Sequence, residues 1–298
     1  MNDLSIRLEG VSKRYPHFLL DNISFDLPEG SILGFIGANG AGKSTTIRIL
    51  MGLVRQDSGT VQVLGHSMPA GQIAAKADIG FISEDMRLYG AATLAWHMKF
   101  IASIYPQWNQ SYAEKLLGRF DLKPQQKIKG LSHGQRVKAA LLLALARQPR
   151  LLLLDEPTTG LDPVARREVL AELMSVLVDE RRTILFSSHN TLDVEQISDR
   201  NAFIDRGRII ALEDKEDLLD RWRRLRLLVP PSTALPRLPG VVEVGGSERL
   251  PVLTTSQFDP AVVSLCQDRG ATVQSVDPMT LEEIFVANVQ SRRELQPA

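Results

Sequence analysis

The run ILGFI at 32–36 is wholly apolar and leads directly into Gly37-Ala38-Asn39-Gly40-Ala41-Gly42-Lys43-Ser44. A strand without polar alternation has to be covered on both faces, as the central strands of parallel sheets are. Beyond the glycines, KSTTIRILMGLV has helical periodicity, with Ile47, Leu50 and Met51 on one face. The octapeptide fits G-x-x-x-x-G-K-[ST] in the setting that pattern requires, a strand before it and a helix after it. Glycines let successive backbone N–H groups turn inward around an anion. A helix that starts near Lys43 adds unpaired N–H groups and the positive end of its dipole. The segment Gly37, Asn39, Gly40, Ala41, Gly42, Lys43, Ser44 and Thr45 is therefore expected to cradle phosphates. Lys43 should reach the β- and γ-phosphates, and Ser44 Oγ should bind Mg²⁺.

The rest of the chain sets that junction in a larger pattern. SIRLEGV and TVQVLG alternate apolar with polar residues, as half-buried strands do. From about 88 to 145 the pattern is helical, with amphipathic LAWHMKFIASIY and YAEKLLGRF joined by a turn near Pro106. Strand and helix then alternate: LLLLD, PVARREVLAELMSVLVDE, TILFSS, TLDVEQIS, and a hairpin in NAFIDRGRIIAL. Such alternation implies a parallel sheet with helices on both faces. VPPSTALPRLPG at 229–240 holds four prolines, which lack an amide donor and exclude a helix or central strand. Past it, VVEVGG, RLPVLTT, DPAVVSLCQDRG and ATVQSV predict a small α+β domain. The expected domains are 1–221, with the helical insert at about 88–145, and 222–298.

Charge and composition narrow the function classes. Lys+Arg and Asp+Glu are both 35, so the balance argues against a nucleic-acid binder relying on a strongly basic surface. No apolar run approaches the roughly 18 residues of a membrane span. The longest, AALLLALA, is bracketed by Lys138 and Arg147 and reads as a buried helix. MNDLSIRLEG lacks the pattern of a secretory signal. Cys266 is the only cysteine, which rules out an intrachain disulfide and suits a reducing compartment.

LLLLDEP places Asp155 and Glu156 at the C-terminal end of a buried strand, the edge where open α/β sheets bind ligands. A carboxylate there can hold Mg²⁺, and its neighbour can orient or deprotonate a water. Asp155 is assigned to the metal and Glu156 to the water. His189 follows another apolar strand, LFSSH, where imidazole can donate to a γ-phosphate oxygen.

Leu131-Ser132-His133-Gly134-Gln135, ahead of the helix RVKAALLLALARQP, resembles the LSGGQ signature of ABC-type ATPases, with His133 in place of a glycine. Together with the phosphate loop, LLLLDE, Gly160-Leu161-Asp162 and SSH, the resemblance covers about residues 4–215 in the family's order. It implies a P-loop ATPase fold with a parallel core sheet, an N-terminal antiparallel β subdomain and the helical insert. It further implies that ATP and Mg²⁺ are bound and ATP hydrolysed. Two ATPase subunits, identical or related, would pair head to tail, each nucleotide lying between one phosphate loop and the other signature. Ser132, Gly134 and Gln135 would form the second anion site, and Asp162 would stand at the pair's interface. Tyr15 matches the aromatic that stacks on adenine, with Phe18 as a rival. Glu84 stands where the family often has glutamine; it can support Mg²⁺ and the water but adds negative charge.

Asp277-Pro278-Met279-Thr280-Leu281-Glu282-Glu283-Ile284-Phe285 resembles the ending of drug-exporter-like ATPase subunits, and Thr280 with Glu283 also reads as a capping box. The expected role is to power export through a separate transmembrane permease subunit, at the cytoplasmic face of the membrane and without nucleic acid. The segment from Glu84 to about Phe100, with Met86, Leu88, Tyr89, Leu94, Trp96 and Met98, is the expected docking surface. Two other readings compete. A soluble mechanical ATPase of DNA repair or translation would be expected to carry coiled-coil insertions, zinc modules or two ATPase halves. A small-molecule kinase gives no reason for LSHGQ.

Overall fold

The computed structural model describes residues 4–180, 182–230, 238 and 240–295. The proline-rich stretch expected to break regular structure lies outside them at 231–237 and 239. The chain divides into two compact units between Leu212 and Glu213. That is nine residues ahead of the expected boundary, because the stretch 213–221 belongs with the second unit.

In chain order the first unit holds β1 (Leu4–Tyr15), β2 (Phe18–Pro28), β3 (Ile32–Ile36), α1 (Lys43–Leu50), β4 (Ser58–Val63) and β5 (His66–Ser67). There follow α2 (Gln72–Ala77), β6 (Ile79–Ser83), α3 (Leu94–Ile104), α4 (Gln110–Arg119) and α5 (His133–Leu145). It ends with β7 (Leu151–Asp155), α6 (Pro163–Glu180), β8 (Thr183–Ser188), α7 (Thr191–Ile197), β9 (Arg200–Asp205) and β10 (Arg208–Asp214), the last reaching the boundary.

Two sheets follow from two sequence patterns. The alternating strands pair antiparallel in the order β2-β1-β4-β5. Ile6 and Leu8 of β1 face Leu27, Val61 and Val63 in the core. The apolar runs of β3, β8 and β7 sit inside the second sheet, β10-β9-β3-β8-β7-β6, which is parallel from β9 through to β6. Every residue of β3, β7 and β8 is buried. Burying the four leucines of β7 contributes roughly 6–12 kcal/mol before chain entropy is counted. The register sets Ile36 beside Ser188, Asp155 beside Ser187 and Ser83 beside Asp155. Four strands thus end level at one carboxyl edge.

The helical insert is defined by its caps. Thr93 Oγ1 accepts from Trp96 N at the start of α3, which stops at Tyr105, the residue before Pro106. Asn109 caps α4. Tyr112 Oη on α4 donates to the buried Glu172 of α6 at 2.8 Å, and Arg119 pairs with the same carboxylate. Burial, reinforced by Glu172, holds the Tyr112 phenol protonated far beyond its ordinary range. Ser132 and Gln135 form a reciprocal capping box at the start of α5, worth about 1 kcal/mol.

The second unit holds α8 (Lys215–Arg221), β11 (Arg223–Leu228), β12 (Val241–Gly246), β13 (Pro251–Thr255), α9 (Ala261–Asp268), β14 (Thr272–Pro278) and α10 (Leu281–Leu295). Its sheet is antiparallel, ordered β12-β13-β11-β14. Its small core gathers Leu225, Leu227, Leu253, Val262 and the fully buried Cys266, whose thiol burial pushes up.

Candidate nucleotide site

Lys43, Ser44, Asp155, Glu156 and His189 meet at the carboxyl edge of the parallel sheet. Gly42 caps α1 at φ 118°, and a Cβ there would lie 2.8 Å from Leu20 Cδ1, so glycine is required. The loop and the first residues of α1 line a cleft of about 480 Å³ with His17, Phe18, Glu84 and Glu156. Lys43 Nζ turns back into the loop and donates to Gly37 O at 2.6 Å and Ala38 O at 3.3 Å. It also stands 3.1 Å from Glu156 Oε1.

That contact is an ion pair without hydrogen-bond alignment, so Oε1 is buried and otherwise unsatisfied. The other oxygen, Oε2, lies 2.8 Å from His189 Nδ1 and accepts from Thr159 Oγ1 at 3.0 Å. Glu156 itself sits at φ 54°, a conformation that side chains bear only when their surroundings impose it. The backbone turn after β7 therefore aims the carboxylate between Lys43 and His189. The carboxylate is held there by hydrogen bonds to Thr159 and His189 on one oxygen and by the Lys43 ion pair on the other.

Asp155, one residue earlier, points elsewhere. Ser187 Oγ donates to Asp155 Oδ1 at 3.1 Å, and the Ser44 hydroxyl also bonds its carboxylate. Desolvation raises the Asp155 pKa; the two serine hydroxyls and Lys43 oppose that, while Glu156 adds to it. Sequence reasoning missed Ser187 and Thr159. TILFSS beside LLLLD would have yielded Ser187 once the parallel register was known.

Glu84 follows β6, is exposed, and donates its backbone N–H to Asp155 O at 3.1 Å. Among the described residues no three His, Cys, Asp or Glu side chains gather into a metal cage. Ser44 and Asp155 instead form a partial set of hard oxygens, the kind Mg²⁺ completes with phosphate oxygens and water.

Other expected residues stand outside this cluster. Tyr15 ends β1, partly exposed, with its ring 6.4 Å from that of Phe18; Phe18, not Tyr15, lines the cleft. Asp162 Oδ1 accepts from Val164 N and Ala165 N, each at 2.9 Å, and so caps α6. The Ala165 amide foremost holds its carboxyl below the ordinary value. The Ser132 hydroxyl serves the capping box, and a Cβ on Gly134 would lie 3.3 Å from Ala165 Cβ.

In the expected docking segment, Leu94 and Met98 are core residues. Met86, Tyr89 and Trp96 are exposed. With Phe81, Leu88 and Phe100 they line an apolar groove of about 300 Å³. Trp96 stacks on Phe100 at 5.2 Å and 7°.

Loop, acidic strand end and histidine at one sheet edge define a P-loop nucleotide hydrolase. The family model for "ABC transporter" matches residues 20–159. The chain is 32% identical over 306 residues to the daunorubicin resistance ATP-binding protein DrrA3 of Streptomyces coeruleorubidus, covering 96% of each. It is 33% identical to the Nod factor export ATP-binding protein I of Sinorhizobium fredii, covering 96% of this chain and 86% of that one. A solved structure described as the ATP binding subunit of an ABC transporter superposes with a TM-score of 0.65 at 26% identity, covering 72% of this chain and 92% of that one. The chain belongs to the ABC transporter family, among its ATP-binding, ATP-hydrolysing subunits.

Proposed function

We propose that Glu156 activates the water that attacks the γ-phosphate of ATP in this transport ATPase. The observation that carries this reading is the Glu156 carboxylate held beside the phosphate loop, with Lys43 on one oxygen and His189 on the other. The loop amides and Lys43 bind the β- and γ-phosphates and stabilise charge that develops on them. Lys43 exchanges Glu156 for phosphate as it does so, which frees Oε1 to accept a proton from water. His189 orients the carboxylate and would donate to the γ-phosphate. Mg²⁺, held by Ser44 and Asp155 with Glu84 nearby, would supply charge neutralisation. Adenine would stack on Phe18, which lines the cleft, or on its neighbour Tyr15.

The working unit is a head-to-tail pair of these subunits, with Ser132, Gly134 and Gln135 closing on the partner's nucleotide and Asp162 at the interface. No helix of the described residues is long and apolar enough to cross a membrane. Translocation then belongs to a separate permease at the cytoplasmic face, docked on the groove of Met86, Tyr89, Trp96 and Phe100. Exposed aromatic and methionine side chains suit a partner helix. Export is favoured by the relatives named for Nod factor export and for daunorubicin resistance. Capture of the tagged chain from detergent-solubilised membranes should bring down a polytopic membrane protein and Mg²⁺-dependent ATPase activity. Recovery of ribosomes or DNA instead would favour the soluble mechanical reading.

A further inference from the structure

His133 replaces the glycine of the family signature, and its ring has a definite seat. Nε2 lies 2.9 Å from Thr159 O, in the turn that follows Glu156. The next residue, Gly160, has φ +71°, and a Cβ there would meet His133 Nε2 at 3.2 Å and Cδ2 at 3.4 Å. Glycine at 160 thus provides both the left-handed turn and the room for the imidazole. Thr159 contributes a second bond through its side chain, Oγ1 to Glu156 Oε2 at 3.0 Å. A continuous path therefore runs from the first residue of α5, through one backbone carbonyl and one hydroxyl of Thr159, to the carboxylate beside Lys43. Its origin is fixed, since the Ser132–Gln135 capping box and the close packing of Gly134 on Ala165 hold the start of α5.

We propose that His133 is a positioning residue: it anchors the Thr159–Gly160 turn to α5 and through Thr159 Oγ1 holds Glu156 in its working orientation. The inference rests on the reading of Glu156 as the group that activates water. A carbonyl oxygen only accepts, so Nε2 donates, and the neutral Nε2–H tautomer or the imidazolium supplies the bond equally. Glycine at 133 would leave the turn without this tether.

The purified full-length chain tests the assignment through kcat, KM, and Kd for a fluorescent ATP analogue with Mg²⁺. His133→Ala should lower kcat about tenfold, the scale of one lost hydrogen bond acting at the transition state. KM and Kd should stay within about twofold, because binding groups are untouched. His133→Gln, whose amide can donate to Thr159 O, should recover most of the loss. The double variant His133→Ala/Thr159→Val should be no slower than Thr159→Val alone, since both act on one carboxylate. Unchanged kcat in His133→Ala, a raised KM at constant kcat, failure of His133→Gln to rescue, or multiplicative losses in the double variant would each overturn the proposal. Glu156→Gln separates the two levels. If that variant is as active as wild type, the underlying role of Glu156 fails whatever His133 does. If it is inactive while His133→Ala is unaffected, only the positioning role fails.

Discussion

In the first unit Lys43 and Glu156 line one cleft at the end of a parallel sheet, and they and the adjacent Asp155 are all buried. In the second, Arg224 pairs with Glu283 at 2.8 Å and Arg226 with Asp277 at 3.0 Å, all four side chains at least 30% exposed. Taking charges out of water costs several kcal/mol per ion. The cleft accepts that cost, as the raised Asp155 carboxyl shows, and adds a residue in a strained backbone conformation at Glu156. Exposed pairs cost little and contribute little, about 0–1 kcal/mol each. Chemistry is concentrated where charges are crowded and buried; the surface pairs of the second unit brace a sheet and a helix.

Removing a group from the crowded site should therefore affect turnover most. Glu156→Gln keeps the shape and loses the base, so kcat should fall by about 10²–10³ or more while Mg·ATP is still bound. Single-turnover hydrolysis measures it, and a near wild-type rate would erase the distinction between the two regions. In the second unit the comparable vulnerability is apolar. Leu225 is fully buried beside Leu253 and Cys266, so Leu225→Ala should cost about 2–5 kcal/mol in denaturant unfolding. A loss below about 0.5 kcal/mol would mean that this core does not hold the unit together. Lys43→Ala removes charge-assisted bonds to phosphate and should weaken ATP affinity about 10–100-fold by equilibrium titration. Unchanged affinity would take Lys43 out of the site and leave its pairing with Glu156 purely structural.

The contrast also explains what could be read from the amino acids. ILGFI, the leucines of LLLLD and the ILF of TILFSS form unbroken apolar runs, so burial on both faces and parallel pairing followed from pattern alone. GANGAGKS, Asp155, Glu156 and His189 were legible because each follows such a strand directly. Thr159, Ser187 and the seat of His133 were not, because they depend on register and on one φ angle at Gly160. The adenine side was ambiguous for a similar reason, since Tyr15 and Phe18 are two aromatics at the turn between β1 and β2. The domain boundary fell nine residues late because KEDLLDR is an ordinary amphipathic helix, and its composition does not say which core it joins.

The finest test of the contrast is at Glu283. Its carboxylate accepts from Thr280 N at 2.9 Å and pairs with Arg224. The Thr280 amide foremost, then Arg224, holds its pKa below the 4.5 of an unperturbed glutamate. With the folded value depressed, the stabilisation is complete above about pH 4.5 and is lost as pH falls through the folded value. Because both partners are about one-third exposed, screening limits the pair to about 0.5 kcal/mol. Native-state hydrogen exchange in α10 should then show Glu283→Gln less protected than wild type at about pH 6, with the difference closing towards about pH 3. A difference that persisted in acid would show that the Glu283 charge contributes nothing. The brace would then rest on neutral hydrogen bonding at the helix cap, and the surface charges of this unit would be further removed from those of the cleft than their geometry implies.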